Sequence, residues 1–434
     1  MGDGTGLAEA LVGLVGMRVL EVVEEPAELV VTVETTATLI GCGRCGSRAV
    51  AHERRPVDVR DLACFGRPVR LRILKRRWRC PEPACEARTW TESHPQLPAR
   101  QVMTHRAGFE AARLVGQLAR PVSQVADEFG VCWDTIMTAV ETHGTPLVDD
   151  PDRVGQVASL GVDETSFLKA NREHSTVYVT GLVDTQRGIL VDMVEGNTAD
   201  DLRKWCADQP TEWLASIEAV SIDLTDSYRS GLSPHLAHAV RVADPFHVVR
   251  VANRCLDTVR RRTQQETTGH PGRKDDPLYR IRKLLLTGSE RLDDKGQSRM
   301  LLGLRIGDPY DEVAGAWLAK ESVRDVYLTE DPADAATLLD KAIVGCLGDD
   351  VAEIRTLGGT LARWRTEILN HHHTGASNGP TEGLNLVIKK VKRAGHGFHT
   401  YDHYRLRCLL HAGGVNWPNR PSPPRIRTRR SLLR

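Results

Sequence analysis

Short runs rich in β-branched residues follow one another in the middle of the chain and restrict its fold more than any other feature. Five such runs occur, and a helical pattern at residues 199–206 separates the third from the fourth: residues 157–162, 176–183, 189–194, 219–222 and 239–242. Three close strands, a helix and further strands are typical of an α/β layer with a mixed sheet. The sequence therefore predicts a mixed α/β core, whose first part we place at residues 153–250.

Acidic residues stand where three of these strands are predicted to end. Asp163 follows the first run, Asp223 follows the fourth and Asp244 lies just beyond the fifth. Carboxylates at the ends of adjacent strands converge on one edge of a sheet, where their oxygens can hold hard cations. Each acid alone could instead cap the helix that follows it. Three such acids in succession favour a metal site.

A second group of candidate site residues, with an acid, amides and basic residues, lies at residues 377–393. Asn378 or Gly379 can cap a helix there, and Pro380 suits the first helical position. One face of the predicted helix combines four polar residues: Glu382, Asn385, Lys389 and Lys392. An exposed surface helix would show the same charge pattern. The aspartates upstream favour a place for Glu382 in the metal site.

The stretch between these two regions, residues 248–370, is mostly helical in pattern and too long for a connection. It predicts an inserted α-helical domain, which we place at residues 251–375. The pair Gly358-Gly359 predicts a break in its last helical run. The adjacent histidines at 371–373 point in different directions, so we expect a loop bordering the site, with metal ligation as the alternative.

Two close pairs of cysteines lie near the N-terminal end: Cys42, Cys45, Cys80 and Cys85. Strand-like residues 69–73 predict a hairpin that brings the pairs together, and four thiolates can complete a tetrahedral zinc site. Such a site stabilises a small module, here residues 1–95, and is structural because its closed shell leaves no position for water. Incidental cysteines are the alternative, and Cys64, His52 or His94 could replace a ligand.

The next segment predicts a helix-turn-helix. Residues 122–136 carry apolar positions at helical spacing, with Gly130 as the turn. Many helical hairpins have a similar pattern, and Cys132 stands where a capping serine or threonine is more usual. We place this domain at residues 96–152.

The composition excludes a disordered or fibrous protein. With 434 residues, 41% hydrophobic and 26% charged, the chain has the composition of an ordinary soluble protein with room for several domains. Its net charge is only +1, so any attraction to nucleic acid depends on local basic blocks, at residues 54–79 and 420–434. No apolar stretch is long enough to span a bilayer and no signal-peptide pattern is present, so we expect a cytoplasmic protein without a membrane partner.

Several motifs occur together in one order along nearly the whole chain. Beyond the cysteine pairs and the helix-turn-helix, they are Gly161-Val162-Asp163-Glu164, Asp223 with Tyr228, Asp244-Pro245-Phe246-His247 within residues 243–249, and Ser377-Asn378-Gly379 with residues 382–385. In this order the chain resembles the DDE transposases of bacterial insertion sequences, specifically the ISL3 family. The Asp-Pro-Phe-His and Ser-Asn-Gly motifs are the most specific.

The resemblance implies an RNase H-like core interrupted by the helical insertion, with the catalytic triad Asp163, Asp223 and Glu382. The triad would hold two Mg²⁺ or Mn²⁺ ions per active site. Four further residues would lie beside it: Asp244, His247, Asn378 and Asn385. The core would resume at residues 376–415, before a basic tail at 416–434. Pro245 stands where the family more often has a basic residue, which removes one phosphate contact.

The resemblance also implies DNA partners, namely the terminal inverted repeats of the element and the target DNA. The zinc ribbon and helix-turn-helix would recognise the repeats, with base reading at the start of the second helix and phosphate contacts by basic residues: Trp133 and Thr135, then Lys389, Lys390, Lys392 and Arg393. Bringing two ends together implies a homodimer or larger assembly, associated with the nucleoid when bound. The alternatives are a DNA-binding repressor with an inactive core and an RNase H-like nuclease without strand transfer.

Overall fold

The computed structural model describes residues 4–37, 39–97, 100–172 and 175–418, so the predicted basic tail lies outside the described residues from 419 on. The chain divides into two units, one formed by Met1–Arg153 with Lys389–Arg434 and the other by Val154–Ile388. Among the described residues, no helix has the length and apolar character needed to cross a membrane.

A five-stranded sheet dominates the N-terminal part of the first unit, preceded by helix α1 (Gly4–Val12). Its strands are β1 (Met17–Glu24), β2 (Leu29–Thr35), β3 (Val50–Cys64), β4 (Arg67–Arg79) and β5 (Thr89–Thr91). The order is β1-β2-β4-β3, β5 pairs with β4, and only β2 and β4 are parallel. Alternate residues of β4, including Leu71 and Ile73, are fully buried, as expected when one face covers a core. The hairpin of β3 and β4 connects the cysteine pairs as predicted.

Helices complete the first unit. They are α2 (His105–Gly116), α3 (Val122–Phe129), α4 (Trp133–Val148) and, from the C-terminal part of the chain, α16 (Tyr401–Ala412). The chain turns between α3 and α4 at Gly130, whose φ of 63° lies in the left-handed region that glycine adopts without strain. Cys132 occupies the N-cap of α4 and makes no capping hydrogen bond through its side chain. The predicted helix-turn-helix is therefore present, and Cys132 is an unusual start for its second helix.

The second unit begins with a mixed sheet. Its strands are β6 (Ser159–Leu168), β7 (Val177–Asp184), β8 (Ile189–Glu195), β9 (Ala219–Ile222) and β10 (Val240–Ala243), with helices α5 (Ala199–Ala207), α6 (Thr211–Ala215) and α7 (Asp226–Leu232) between them. In the order β10-β9-β6-β7-β8, the pairs β6–β7 and β7–β8 are antiparallel, and β6–β9 and β9–β10 are parallel. The mixed α/β core is confirmed.

Asp163 departs from its predicted place at the end of a strand. It lies in the middle of β6, which continues to Leu168 because its second half pairs with β7, from Glu164 opposite Thr180 to Leu168 opposite Val177. The expectation that all three aspartates end strands is therefore wrong for Asp163. It holds for Asp223 and Asp244, which follow β9 and β10 directly.

Helices account for most of the remaining second unit. They are α8 (Pro245–Thr268), α9 (Pro277–Leu286), α10 (Asp294–Gly307), α11 (Glu312–Val326), α12 (Pro332–Leu347), α13 (Ala352–Arg363), α14 (Arg365–Thr374) and α15 (Gly379–Ala394), with a 3₁₀ turn at Ser289–Arg291. One continuous apolar cluster joins sheet residues such as Leu160 to helical residues such as Leu339 and Leu361. The helices therefore share their core with the sheet.

Two details of the helical region differ from the sequence-based expectations. Helix α13 passes through Gly358-Gly359 without a break and ends before Trp364. Gly358 is needed within the helix because α12 packs closely against it at Cys346. The histidines at 371–373 lie in the last turn of α14, which ends at Gly375 in the left-handed region, and do not form a loop. Tertiary packing overrides the local signal in both cases.

Replacing each glycine of this pair by alanine should change stability in opposite directions. Gly359→Ala adds a methyl group in open space and improves helix propensity, so we expect a gain of about 1 kcal/mol. Gly358→Ala places its Cβ 2.9 Å from Cys346 Cβ and 3.0 Å from Leu347 N, so we expect a loss of about 1–3 kcal/mol. Thermal unfolding of both variants beside the unaltered protein measures the two effects. Shifts of the same sign would contradict this helix packing.

Candidate active site and zinc centre

Three neighbouring strands bring the aspartates together. β6, β9 and β10 lie side by side in the sheet, so Asp163 on the first, Asp223 after the second and Asp244 after the third meet at one edge. All three are buried, with 8%, 9% and 1% of their surfaces exposed. Burying carboxylates is unfavourable unless they are paired or hold a cation. The three buried aspartates therefore require positively charged partners, either side chains or bound cations.

Two overlapping groups of metal-ligand atoms form this site. The ligand atoms of Asp163, Asp223 and His247 lie within 4.8 Å of one another, and so do those of Asp244, His247 and Glu382. His247 belongs to both groups. Within the described part of the chain, Asp163, Asp223 and Glu382 do not by themselves form such a group. His247 therefore connects two pairs of acids, Asp163 with Asp223 and Asp244 with Glu382.

His247 lies in the first turn of α8 and bridges two carboxylates. Its Nδ1 lies 2.7 Å from Asp223 Oδ1 and 3.0 Å from Asp244 Oδ2. Burial alone would lower the pKa of His247, but the hydrogen bonds to these two carboxylates raise it to about 9. The ring is therefore an imidazolium at neutral pH and offsets part of the negative charge.

The carboxylates nevertheless remain electrostatically unfavourable as a set. Burial and then the charge of Asp223 raise the pKa of Asp163 to about 6. Burial and the charge of Asp244 likewise raise the pKa of Glu382. Carboxylates that repel one another in a partly dry site are a suitable ligand set for Mg²⁺ or Mn²⁺, because hard cations prefer such oxygens. The residues present therefore fit divalent metal ions.

Asp244 connects the start of α15 to the sheet. Its Oδ1 accepts a hydrogen bond of 2.8 Å from the backbone N–H of Asn378, and its Oδ2 caps α8 by accepting from the N–H of His247. The Asn378 side chain donates to the carbonyl oxygen of Val162 at 3.0 Å, and Thr381 donates to the same side chain. These bonds fix the first turn of the helix that carries Glu382.

One turn further along α15, Asn385 reaches the central acid. Its Nδ2 donates a 2.7 Å hydrogen bond to Asp163 Oδ2, and both residues are buried. Asp163 Oδ1 accepts from the backbone N–H of Glu164 at 2.8 Å. Both oxygens of Asp163 are therefore oriented by fixed donors while each keeps a lone pair for a further ligand. Asn378 and Asn385 thus lie where the sequence-based hypothesis places them, beside the acids.

Sequence reasoning missed Arg250. This residue lies one turn after His247 on α8, and its Nη2 is 3.8 Å from Asp223 Oδ2 while half of its side chain is exposed. Its charge also acts on Glu382, where it opposes the rise in pKa caused by burial. In the sequence, the only indication was its position three residues after His247, which places both side chains on one face of a helix. That indication can be used only when His247 is known to face the acids.

The four cysteines converge at one end of the β3–β4 hairpin. All four sulfur atoms lie within 4.8 Å of one another, with 3.8 Å between Cys42 and Cys85 and 3.5 Å between Cys45 and Cys80. Tetrahedral zinc with Zn–S bonds of about 2.3 Å requires sulfur atoms about 3.8 Å apart. Hydrogen bonds from Ser47 lower the pKa of Cys45 to about 6, whereas burial raises that of Cys80 to about 12, so a cation at the centre would favour the thiolate form of the set. The donor set therefore fits structural zinc.

The three alternative zinc ligands lie elsewhere. Cys64 ends β3 and packs against the apolar core of the sheet, and His94 Nε2 forms a 3.0 Å hydrogen bond with the carbonyl oxygen of Val15. His52 is exposed on β3 and belongs to no metal-ligand group of the described residues.

The basic block at residues 54–79 is largely neutralised within the sheet. Arg54 and Arg76 contact Glu34, Arg70 and Arg72 contact Asp58, and further pairs follow the same pattern: Arg55 and Arg77 with Glu53, Arg60 with Glu28, and Arg67 with Glu24. These arginines therefore hold strands together, which weakens the expectation that they supply phosphate contacts.

The candidate DNA-binding residues lie in the first unit, at the start of α4 and in the part of α15 from Lys389 on. Trp133 is 45% exposed at the start of α4, and the hydroxyl of the half-buried Thr135 lies 3.1 Å from Cys132 Sγ. The basic residues lie in the second half of α15, where three are exposed and Lys392 is half-buried: Lys389, Lys390 and Arg393.

Comparison with known protein families gives two matches. Residues 160–408 match the model of the ISL3 DDE domain, described as a transposase. Residues 38–85 match the ISL3 zinc ribbon, described as the zinc-finger of transposases IS204, IS1001, IS1096 and IS1165. The first match covers more than half of the chain and includes every acid of the site. The second includes all four clustered cysteines.

Curated relatives are similar over nearly their full lengths. The transposase for insertion sequence element IS1001 of Bordetella parapertussis is 26% identical over 413 residues, covering 92% of this chain and 96% of the relative. The transposase for insertion sequence element IS1557 of Mycobacterium tuberculosis, strain H37Rv, is 25% identical over 422 residues, covering 90% of each chain. The similarity thus extends across both units.

Zinc content should distinguish the clustered cysteines from Cys64. We expect one zinc ion per chain, lost in Cys80→Ser because three thiolates no longer close the shell, and retained in the matched control Cys64→Ser. Metal analysis of the purified proteins measures this directly. Chelation should also unfold the N-terminal module, seen as lost protection of β3 and β4 in hydrogen exchange. Zinc bound equally by both variants would contradict the four-cysteine site.

Proposed function

The chain belongs to the ISL3 family of insertion-sequence transposases, and we propose that it binds the terminal inverted repeats of its element and catalyses metal-dependent DNA cleavage and strand transfer. The observation that carries this proposal is the set of buried acids around His247. His247 joins two pairs of acids, Asp163 with Asp223 and Asp244 with Glu382, and their place within a matched transposase domain supports an active catalytic core. A repressor with an inactive core would have no need to keep these charges buried together.

In this proposal Asp163, Asp223 and Glu382 hold two Mg²⁺ or Mn²⁺ ions. When bound, such ions polarise an attacking water or 3′-hydroxyl and stabilise charge on the attacking and leaving oxygens of the phosphodiester. Asp163 is the central ligand, because Asn385 and the N–H of Glu164 orient both of its oxygens. Asp223 is oriented by His247, and Glu382 is positioned by the anchored first turn of α15.

Asp244 and His247 act as positioning residues. The imidazolium of His247 limits repulsion between the carboxylates of Asp223 and Asp244, so the acids can remain ionised near each other. Asp244 holds the start of α15 through Asn378. Together they maintain the geometry of the acids before the ions and DNA bind.

Arg250 is the phosphate-binding residue of the site. Its guanidinium lies beside Asp223 and is half exposed, so cations on the acids would release it to contact a DNA phosphate. It also supplies, from another position, the basic group that Pro245 lacks. Further phosphate contacts come from α15: Lys389, Lys390, Lys392 and Arg393.

End recognition belongs to the first unit. The zinc ribbon and the helix-turn-helix bind the inverted repeats, with Trp133 and Thr135 at the base-reading end of α4. Two ends must be joined in one reaction, so the working form is a dimer or larger assembly in the cytoplasm, associated with the nucleoid when on DNA.

Asp163→Asn should abolish chemistry without abolishing DNA binding. The neutral amide weakens metal binding at the central ligand, so we expect strand transfer with Mg²⁺ or Mn²⁺ to fall on the order of a thousandfold. The matched control is Glu195→Gln, an exposed acid on β8 of the same sheet, which should keep full activity. The assay separates cleaved from joined products on labelled element ends. Full activity of Asp163→Asn would reject the triad, and cleavage without joining by the unaltered protein would identify a nuclease.

Arg250→Gln should lower the rate of strand transfer about a hundredfold, because one positive charge at the reacting phosphate is lost. Arg254→Gln, an exposed arginine one turn later on α8, serves as the control. The affinity of each variant for Mn²⁺ should differ little from that of the unaltered protein. Equal rates for the two variants would exclude a specific role for Arg250.

A further inference from the structure

A cavity of about 450 Å³ lies within the first unit beside the start of α4. It is bounded by the start of α3, by α4 and by the segment that leads into α16. The residues that decide its chemistry are Trp133, Phe398, Thr400, His403 and Arg407. Its volume is within the range of pockets that hold small organic ligands. Most of its lining is apolar, and its ionisable side chains are histidines and one arginine.

Arg407 is a buried cation whose charge is not matched by an acid. Only 3% of its surface is exposed, its Nη2 donates to the carbonyl oxygen of Arg120 at 3.0 Å, and its Nε makes no hydrogen bond. No carboxylate in the described part of the chain forms an ion pair with it. Burial lowers the pKa of Arg407 to about 10, so it keeps its charge at neutral pH. A buried guanidinium with an unused donor can bind an anion.

Two helix starts also lie at the cavity, and their partial positive charge is opposed at α16 by Asp402 in its first turn. The N-cap of α16 is Thr400, which makes no capping hydrogen bond through its side chain, and α3 also begins at the cavity with Val122. Backbone N–H groups at helix starts favour anions such as phosphate. His403 at the rim lies between a carboxylate and an aromatic ring, with Nε2 2.8 Å from Glu141 and its ring 6.0 Å from that of Trp133.

Aromatic faces supply the second kind of contact. Trp133 is 45% exposed at the mouth, and Phe398 packs under the guanidinium of Arg407, whose Cζ lies 5.1 Å from the ring centre. Bases stack on such faces without regard to sequence, while guanidinium groups bind phosphate. An anion alone would explain Arg407 but not the aromatic lining, and an apolar ligand would explain only the lining.

We propose that this cavity holds one unpaired deoxynucleotide of a DNA strand, with its base against Trp133 and Phe398 and its phosphate directed to Arg407 and the start of α16. The assignment to DNA rests on the proposed function, because α4 is the base-reading helix there. A duplex lying on α4 has a nucleotide next to the cavity, so a base that leaves the stack can enter it. The site then senses a distorted or opened end, in addition to its sequence.

Binding of a short single strand to the full-length, zinc-loaded protein tests the site. The probe is a fluorescein-labelled mixed-sequence octanucleotide, followed by anisotropy. Phe398→Leu keeps the apolar volume but removes the stacking face, and we expect about tenfold weaker binding. The matched control is Phe65→Leu, a phenylalanine 87% exposed at the turn between β3 and β4, which should bind as the unaltered protein does. Equal affinity of both variants would overturn the proposal.

A second measurement does not depend on variants. An octanucleotide carrying 5-bromodeoxyuridine should crosslink on irradiation to the peptide containing Phe398 or to Trp133, as mapped by mass spectrometry. Crosslinks confined to other peptides would reject the site. Inorganic phosphate binding as tightly as the octanucleotide would also reject it, since the cavity would then select a free anion.

Strand transfer measured in parallel separates this inference from the proposed function. Crosslinking at the cavity without strand transfer by the unaltered protein would contradict the proposed function and support the nucleotide site. Strand transfer without crosslinking at the cavity would do the reverse.

Discussion

Three buried carboxylates and the half-buried Glu382 lie around one imidazolium, and the second unit depends on this arrangement. Asp223 and Asp244 contact His247 directly, and the other two acids lie on elements that these contacts hold in place. Removing a partner from such a cluster leaves buried charge without compensation, which costs far more than a surface ion pair contributes. The mixed sheet, the start of α8 and the start of α15 are therefore positioned together.

The same cluster connects metal binding to stability. The pKa of Asp163 is about 6 in the folded protein, above its usual value of 3.8. A raised pKa contributes stability that is present at low pH and is lost as the pH rises through about 6, so the ion-free protein carries an unfavourable charge at neutral pH. Cations bound to the carboxylate remove that penalty. A site organised in this way trades stability of the free protein for affinity toward divalent ions.

The parts of this fold that local sequence determines were predictable. Alternating β-branched runs located the mixed sheet, and the spacing of the cysteines located a metal centre, because both patterns depend on neighbouring residues alone. The errors arose where distant packing decides. Asp163 lies inside β6 because β7 pairs beyond it, and α13 continues through Gly358 because α12 packs on it. Arg250 is a site residue only because His247 faces the acids.

Charge distribution implies an order of events on DNA. The net charge is +1, so the protein as a whole does not attract DNA strongly. Most arginines of the N-terminal sheet are paired with acids, so the sheet does not attract DNA strongly either. The site has four carboxylates and two positively charged side chains, His247 and Arg250, so its net charge is negative. This charge repels a phosphodiester until bound cations make the net charge positive. Under the proposed function, recognition of the DNA ends by the first unit can precede metal loading, whereas entry of the scissile phosphate cannot. In that case the acids would keep the DNA phosphate out of the site until the metal ions are present.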